Sequence, residues 1–189
     1  MTIKKINDKN IPVIKVIGLG NILSGNDGIG IRIIQKLNHI KNKCLLLKDI
    51  DIIDLGTCGL DLLYYLENTD FVILIDAICI NKKKGSILKI DGKYLINKNS
   101  TIKISSFHDI SLVDVLTIGN EIYKLPKIVM FGIAINSIKI VNNFTLNLTL
   151  DIDKEILISI DKIIPLIIKE IKLFIKMYYC YFDLNYESK

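Results

Sequence analysis

The chain has 189 residues, half of them hydrophobic, with 25 basic against 20 acidic side chains and a formal net charge of +5. That length supports one substantial core and is too short for two, so a single domain over residues 1–189 is expected. The lysines are scattered apart from Lys82, Lys83 and Lys84, and no zinc-finger spacing or RNA-binding aromatic signature accompanies them. This argues against nucleic acid as the main partner, and the lysine run reads as a solvated loop.

In chain order, Pro12 to Leu19 (PVIKVIGL) is a short β-branched run closing on glycine, and reads as a buried strand. Residues 20–28 (GNILSGNDG) form a glycine-rich loop. A helix is expected from Ile29 to Ile40, with Ile31, Ile34 and Leu37 on its apolar side. Asp49 to Leu55, closed by Gly56, is a second strand, and Leu60 to Glu67 a short helix. Phe71 to Ile78 (FVILIDAI) is nearly all apolar, as in a sheet covered on both faces. After a Lys/Gly turn, Ser86 to Ile90 is a further strand, and 91–107 reads as a long loop with some extended structure. Ile110 to Tyr123 is a helix whose Ser111 and Asp114 are set for a variant capping box. Lys127 to Ile135 is another buried strand. Residues 136–150 alternate apolar and polar around Asn142 and Asn143, which suggests a hairpin or extended excursion.

The last helix is expected from Asp153 to Met177, with Pro165 placed to kink it. The apolar richness of 155–182 raises the question of a membrane span. Asp161, Lys162, Lys169, Glu170, Lys172 and Lys176 interrupt it, whereas a span needs about 20 mostly apolar residues. Helical spacing of the apolar positions favours an amphipathic helix packed on a sheet. Alternation of strands and helices implies an α/β fold, a three-layer αβα sandwich with a largely parallel central sheet.

The four cysteines, Cys44, Cys58, Cys79 and Cys180, form no C-x-x-C pair, and the N-terminus is polar. Reduced thiols in a cytoplasmic protein fit this best. Cys58 reads as a small buried hydrophobe more readily than as a metal ligand or nucleophile.

The loop from Gly18 invites a nucleotide-binding reading, and its chemistry refuses it. The dinucleotide fingerprint G-x-G-x-x-G has Leu23 at its third glycine, which compromises close helix–strand packing. The P-loop spacing from Gly20 to Gly25 is followed by Asn26 and Asp27, and a carboxylate in place of the lysine repels phosphate. What remains is an acid, Asp27, at the C-terminal edge of the first strand. It reads either as the N-cap of the next helix or as a site carboxylate. Asp76 lies near the C-terminal end of an apolar strand, where an isolated carboxylate is strongly penalised unless paired, hydrogen-bonded or metal-bound. Of the two histidines, His39 suits the solvated end of a helix. His108 stands in a loop just before one. Two carboxylates and an imidazole make an oxygen/nitrogen metal site if they meet, which spacing alone does not establish.

Five segments carry a family resemblance, in the family's order and spacing: GLGNILSGNDGIGIRIIQKL (18–37), DLGTCGLDLL (54–63), FVILIDAI (71–78), GSILKI (85–90) and SFHDISLVDVL (106–116). Over roughly residues 13–135 the chain resembles the hydrogenase maturation endopeptidases. The resemblance implies a three-layer α/β fold and a metal-binding set that falls on Asp27, Asp76 and His108. The stretch Asp54 to Thr57 matches a functional D-x-G-T segment and makes Asp54 a secondary candidate for substrate recognition or catalysis. Many members have two acids before the loop glycine, where this chain has Asn26 and Asp27.

The implied partner is the large-subunit precursor of a nickel–iron hydrogenase, already loaded with nickel and carrying a C-terminal extension to be removed. The implied cofactor is a nickel ion presented by that substrate rather than held by the protease. No membrane insertion is expected, and a monomer is. No G-x-S-x-G elbow supports a serine nucleophile. The rivals are a non-catalytic nickel-sensing chaperone of the precursor using the same residues, and a related protease with another substrate, such as a spore-protein protease.

Overall fold

Strands that carry no polar alternation end up where both faces are covered. Phe71–Cys79 forms β3, buried from Phe71 through Ile78, at the centre of a five-stranded sheet. The computed structural model describes residues 11–96, 111–135 and 149–186. Around β3 stand β1 (Ile14–Leu19), β2 (Asp51–Gly56), β4 (Ile87–Asp91) and β5 (Lys127–Ile135), in the order β2-β1-β3-β5-β4. All neighbours are parallel except β4, which runs antiparallel to β5 at the edge.

Side chains of successive strand residues go to opposite faces, and each face collects its own helices. Ile73 and Ile75 share a core with α1 (Ile29–Lys41) and α5 (Lys154–Tyr186), through Ile33, Leu37, Ile163, Ile167 and Ile171. Phe71 stacks on Phe174 of α5, with ring centroids 4.5 Å apart. Val72 and Leu74 face the other way, onto α2 (Leu62–Leu66), α3 (Gly92–Ile96) and α4 (Leu112–Ile122). The result is the expected three-layer sandwich. No helix among the described residues is long and apolar enough to cross a membrane.

Most expected elements fall within a few residues of their positions. At α4, Ser111 is the N-cap: its hydroxyl accepts from the Asp114 N–H (3.1 Å) and donates to the Asp114 carboxylate (2.7 Å). Three differences have physical reasons. Residues 92–96, expected as loop, form α3, whose Leu95 is buried against the sheet; tertiary packing makes a helix of a stretch too short to show a period. The final helix runs on to Tyr186, because nothing in its sequence stops it at Met177. The lysine run is not wholly solvated, since Lys84 is half-buried and pairs with Asp153 at 2.6 Å. Of the 136–150 stretch only the last two residues are among those described, and Thr149 bridges in parallel to Ser24.

Close helix–strand packing, which the missing fingerprint glycine was expected to compromise, is supplied by other glycines. A Cβ on Gly18 of β1 would lie 2.7 Å from the Gly30 carbonyl oxygen. A Cβ on Gly30 of α1 would lie 2.2 Å from the Leu19 carbonyl oxygen and 2.6 Å from that of Ile75. The helix thus rests directly on the backbones of β1 and β3. Gly30→Ala gains about 1 kcal/mol of helix propensity, but the clash is with backbone that cannot swing away, so a net destabilisation of about 2 kcal/mol or more is expected in denaturant unfolding. Gly59→Ala, where nothing lies within 4 Å of the added carbon, should move the midpoint little.

Candidate active site

The chain leaves β1 for α1 on one face and leaves β2 for α2 on the other. The strand order therefore reverses between β1 and β3, which sets a topological switch point at their C-terminal edge. Ligands of doubly wound sheets bind at such a switch point. Asp27 and Asp76 flank it, one just after β1 and one near the end of β3.

Asp27 sits in a turn of 3-10 helix, Gly25–Gly28, between β1 and α1, and is 4% exposed. Its Oδ2 accepts the Asn21 N–H at 2.7 Å, so the carboxylate closes its own loop. The turn is tight: Gly20 has φ +124°, and a Cβ there would meet the Asp27 carbonyl oxygen at 2.0 Å. The N-cap of α1 is Gly28, not Asp27, so the helix-capping reading of this acid does not hold.

Asp76 pairs with Gly132 of β5 in the sheet register and is fully buried. Sharing strand parity with Val72 and Leu74, it belongs to the α2–α4 face. Its Oδ1 accepts the Ala77 N–H at 2.8 Å. Its Oδ2 has no hydrogen-bond partner among the described residues. Burial pushes its pKa from 3.8 up to about 8, the charge of Asp27 adds to the rise, and the Ala77 N–H opposes it. Each of the two acids therefore feels the other. At neutral pH a carboxyl in this condition carries a proton it can readily give up, the state suited to acid–base work or to exchange for a cation.

The other sequence-derived residues fare differently. Asp54, at the C-terminal end of β2 beside Gly18, is exposed, and its Oδ1 accepts the Gly56 N–H at 3.1 Å. It closes the turn in solvent at the same sheet edge and stays out of the buried pair. His108 lies outside the described residues, three positions before the α4 N-cap Ser111. Among the described residues no group of three metal-ligating side chains assembles. Cys58 is half-buried against the α2 core, and burial, then Asp61, then Asp76 push its thiol up to about 11. It is a protonated thiol at neutral pH, which disfavours a cysteine nucleophile. No disulfide forms among the described residues.

Sequence reasoning missed the fixture that holds the Asp27 loop. Asn26 and Asp153 bond reciprocally, and Lys84 joins them. Separations of 127 and 69 residues leave no local signal for such pairing.

Fold and site together define a doubly wound α/β protein with a pair of buried acids at its topological switch point. A family model described as hydrogenase maturation protease matches residues 31–170, a span that includes Asp54, Asp76 and His108 but starts after Asp27. Hydrogenase 2 maturation protease of Escherichia coli is 34% identical over 114 residues, covering 60% of this chain and 67% of its own. A putative hydrogenase maturation protease of Methanocaldococcus jannaschii is 31% identical over 164 residues, covering 84% and 96%. In fold, the hydrogenase maturating endopeptidase HybD from E. coli superposes with a TM-score of 0.65 at 23% identity, over 85% of this chain and 92% of that one. The chain belongs to the hydrogenase maturation protease family. It is a hydrolase of the endopeptidase type.

The raised Asp76 pKa has a consequence for stability. Above the unfolded value near 4 the unfolded chain has lost this proton while the folded chain keeps it until about pH 8. Folding stability should therefore fall as pH rises through that window, by up to about 1.4 kcal/mol per pH unit, and level off above it. Asp76→Asn keeps the acceptor for the Ala77 N–H and removes the titration. Its melting temperature should exceed the wild type's by a margin that grows from pH 5 to pH 8; a margin independent of pH would contradict this.

Proposed function

We propose that this chain removes the C-terminal extension of a nickel-loaded large-subunit precursor of a nickel–iron hydrogenase, and that Asp27, Asp76 and His108 contact the nickel carried by that precursor. The observation that carries the reading is Asp76 Oδ2, a buried carboxyl oxygen without a hydrogen-bond partner among the described residues, beside a second acid at the switch point. A cation there would satisfy that oxygen and relieve the repulsion between the acids. The donor chemistry fits as well: oxygens from two carboxylates and an imidazole nitrogen make a mixed set suited to a first-row divalent ion.

In this reading the ion is part of the substrate, and cleavage depends on correct loading of the precursor. An ion held there polarises a neighbouring carbonyl or water. The protein's own residues do the rest. Asp76 would give up its proton on engaging the cation, because the positive charge offsets the burial, and after it the Asp27 charge, that hold its pKa up. Asp27, fixed by the Asn21 N–H, would present its carboxylate from the loop between β1 and α1. His108 stands in the chain four positions before Leu112, the first residue of α4, and α4 packs on the face to which Asp76 belongs. A carboxylate near the scissile bond serves as general base for the attacking water. Asp54, at the same edge and exposed, would meet the substrate chain.

The test is shortening of nickel-loaded precursor in a purified reaction. Asp27→Asn, Asp76→Asn and His108→Ala should each reduce the cleavage rate at least about 100-fold with unchanged circular dichroism. Normal rates in any two of them would show the assignment to be wrong. Precursor without nickel should stay uncut by the wild type. Binding of loaded precursor with no shortening would identify a chaperone instead.

A further inference from the structure

Asp27 can serve the site only if its loop is held still, and the loop's internal hydrogen bonds, such as those from the Asp27 N–H to the Ser24 carbonyl and from the Asn21 N–H to Asp27 Oδ2, close it on itself without tying it to α5. The residue before it supplies what is missing. The Asn26 side-chain amide donates to Asp153 Oδ2 at 2.7 Å, and the Asp153 backbone N–H donates to Asn26 Oδ1 at 2.9 Å. The Lys84 ammonium donates to the same Oδ2 at 2.6 Å and offsets the carboxylate's charge. Asp153 in turn stands at the start of α5, where its carbonyl accepts the N–H groups of Ile156 and Leu157. That helix is anchored in the core by Ile156, Ile163 and Ile167.

A second seam runs beside the first. The Gly25 N–H donates to the Thr149 carbonyl at 2.8 Å, and the Thr149 N–H donates to the Leu23 carbonyl at 2.9 Å. Gly25 has φ +57°, and a Cβ there would lie 2.8 Å from the Asp151 carbonyl oxygen. The loop from 23 to 27 is thus fastened to residues 149–153, immediately after the 136–148 stretch.

We infer that Asn26 is a positioning residue for Asp27, acting through its reciprocal lock on Asp153, with Lys84 as the counter-charge of the lock. Its significance for catalysis rests on the function proposed above; the lock itself does not. Neutrality at position 26 is what makes the arrangement work. An amide has both a donor and an acceptor for Asp153, whereas a carboxylate there would face the Asp153 carboxylate with no proton to share. Small displacements of a group that must meet a reacting centre are expensive, with an error of about 1 Å able to reduce rates about 100-fold.

The Asn21 amide reports on the lock directly, because it is bonded to Asp27 Oδ2. In Asn26→Ala its hydrogen exchange should quicken at least tenfold while the amides of Ile73 and Leu74 in β3 keep their protection. With nickel-loaded precursor, kcat should fall about 100-fold with KM within threefold of the wild type. Asp153→Asn retains an acceptor for Asn26 and the backbone N–H, and should stay close to the wild type in both readouts; Asp153→Ala, which keeps only the backbone N–H for Asn26, should move both readouts in the direction that Asn26→Ala does, by less. Unchanged exchange at Asn21 overturns the lock, and so does loss of protection in β3 as well, which would mark a general structural role. Faster exchange with unchanged kcat overturns the positioning role. If the wild type itself leaves the precursor uncut, the proposed function fails and the exchange measurement alone decides the lock.

Discussion

A carboxyl group buried in the middle layer of an apolar sandwich is the constraint on which the rest of this structure depends. Asp76 stands three residues before the end of a strand otherwise made of phenylalanine, valine, isoleucine, leucine, alanine and cysteine, and its environment holds it largely in the neutral acid form near pH 7. Elsewhere in such a core a leucine would be more stable. The acid is tolerated because one oxygen takes the Ala77 N–H and because the surrounding packing is strong enough to absorb the desolvation of the other. Strain of this kind is characteristic of sites rather than of scaffolds.

The scaffold is arranged to bring a second acid close to the first. Strand β1 lies against β3, α1 rests directly on both through Gly18 and Gly30, and the loop between β1 and α1 is thereby forced over the end of β3. Gly20 lets that loop fold back on itself, so the Asp27 carboxylate bonds within the loop as well as acting on Asp76. The long C-terminal helix then contributes twice: its apolar face closes the core beneath α1, and its first turn holds the loop through Asp153. Positions far apart in the chain, near 26, 76 and 153, are thereby linked at the switch point.

Much of this was legible in the sequence, for identifiable reasons. An uninterrupted apolar run such as Phe71–Ile78 has few other uses than a doubly covered strand, and its lone acid marks itself by contrast. Alternating runs and helical periods gave the layer order. What stayed hidden was non-local or too short. Leu95 has too few neighbours to display a helical period, so α3 read as loop. Gly18 and Gly30 belong to no fingerprint, and their role appears only when α1 is laid on the sheet. Asn26 looked like a departure from the family's paired acids; its partner is 127 residues away. Asp54 and Asp76 are both acids near strand ends, and only burial separates the turn-closing residue from the strained one. His108 was singled out by motif, and it lies outside the described residues.

The central claim is that Asp76 is a buried acid perturbed by its surroundings and by Asp27. The direct test is carbon-13 NMR titration of its side-chain carboxyl in the intact protein without added metal. A midpoint near pH 8 is expected, displaced downward in Asp27→Asn. A midpoint near 4, the ordinary value for an exposed aspartate, would contradict it.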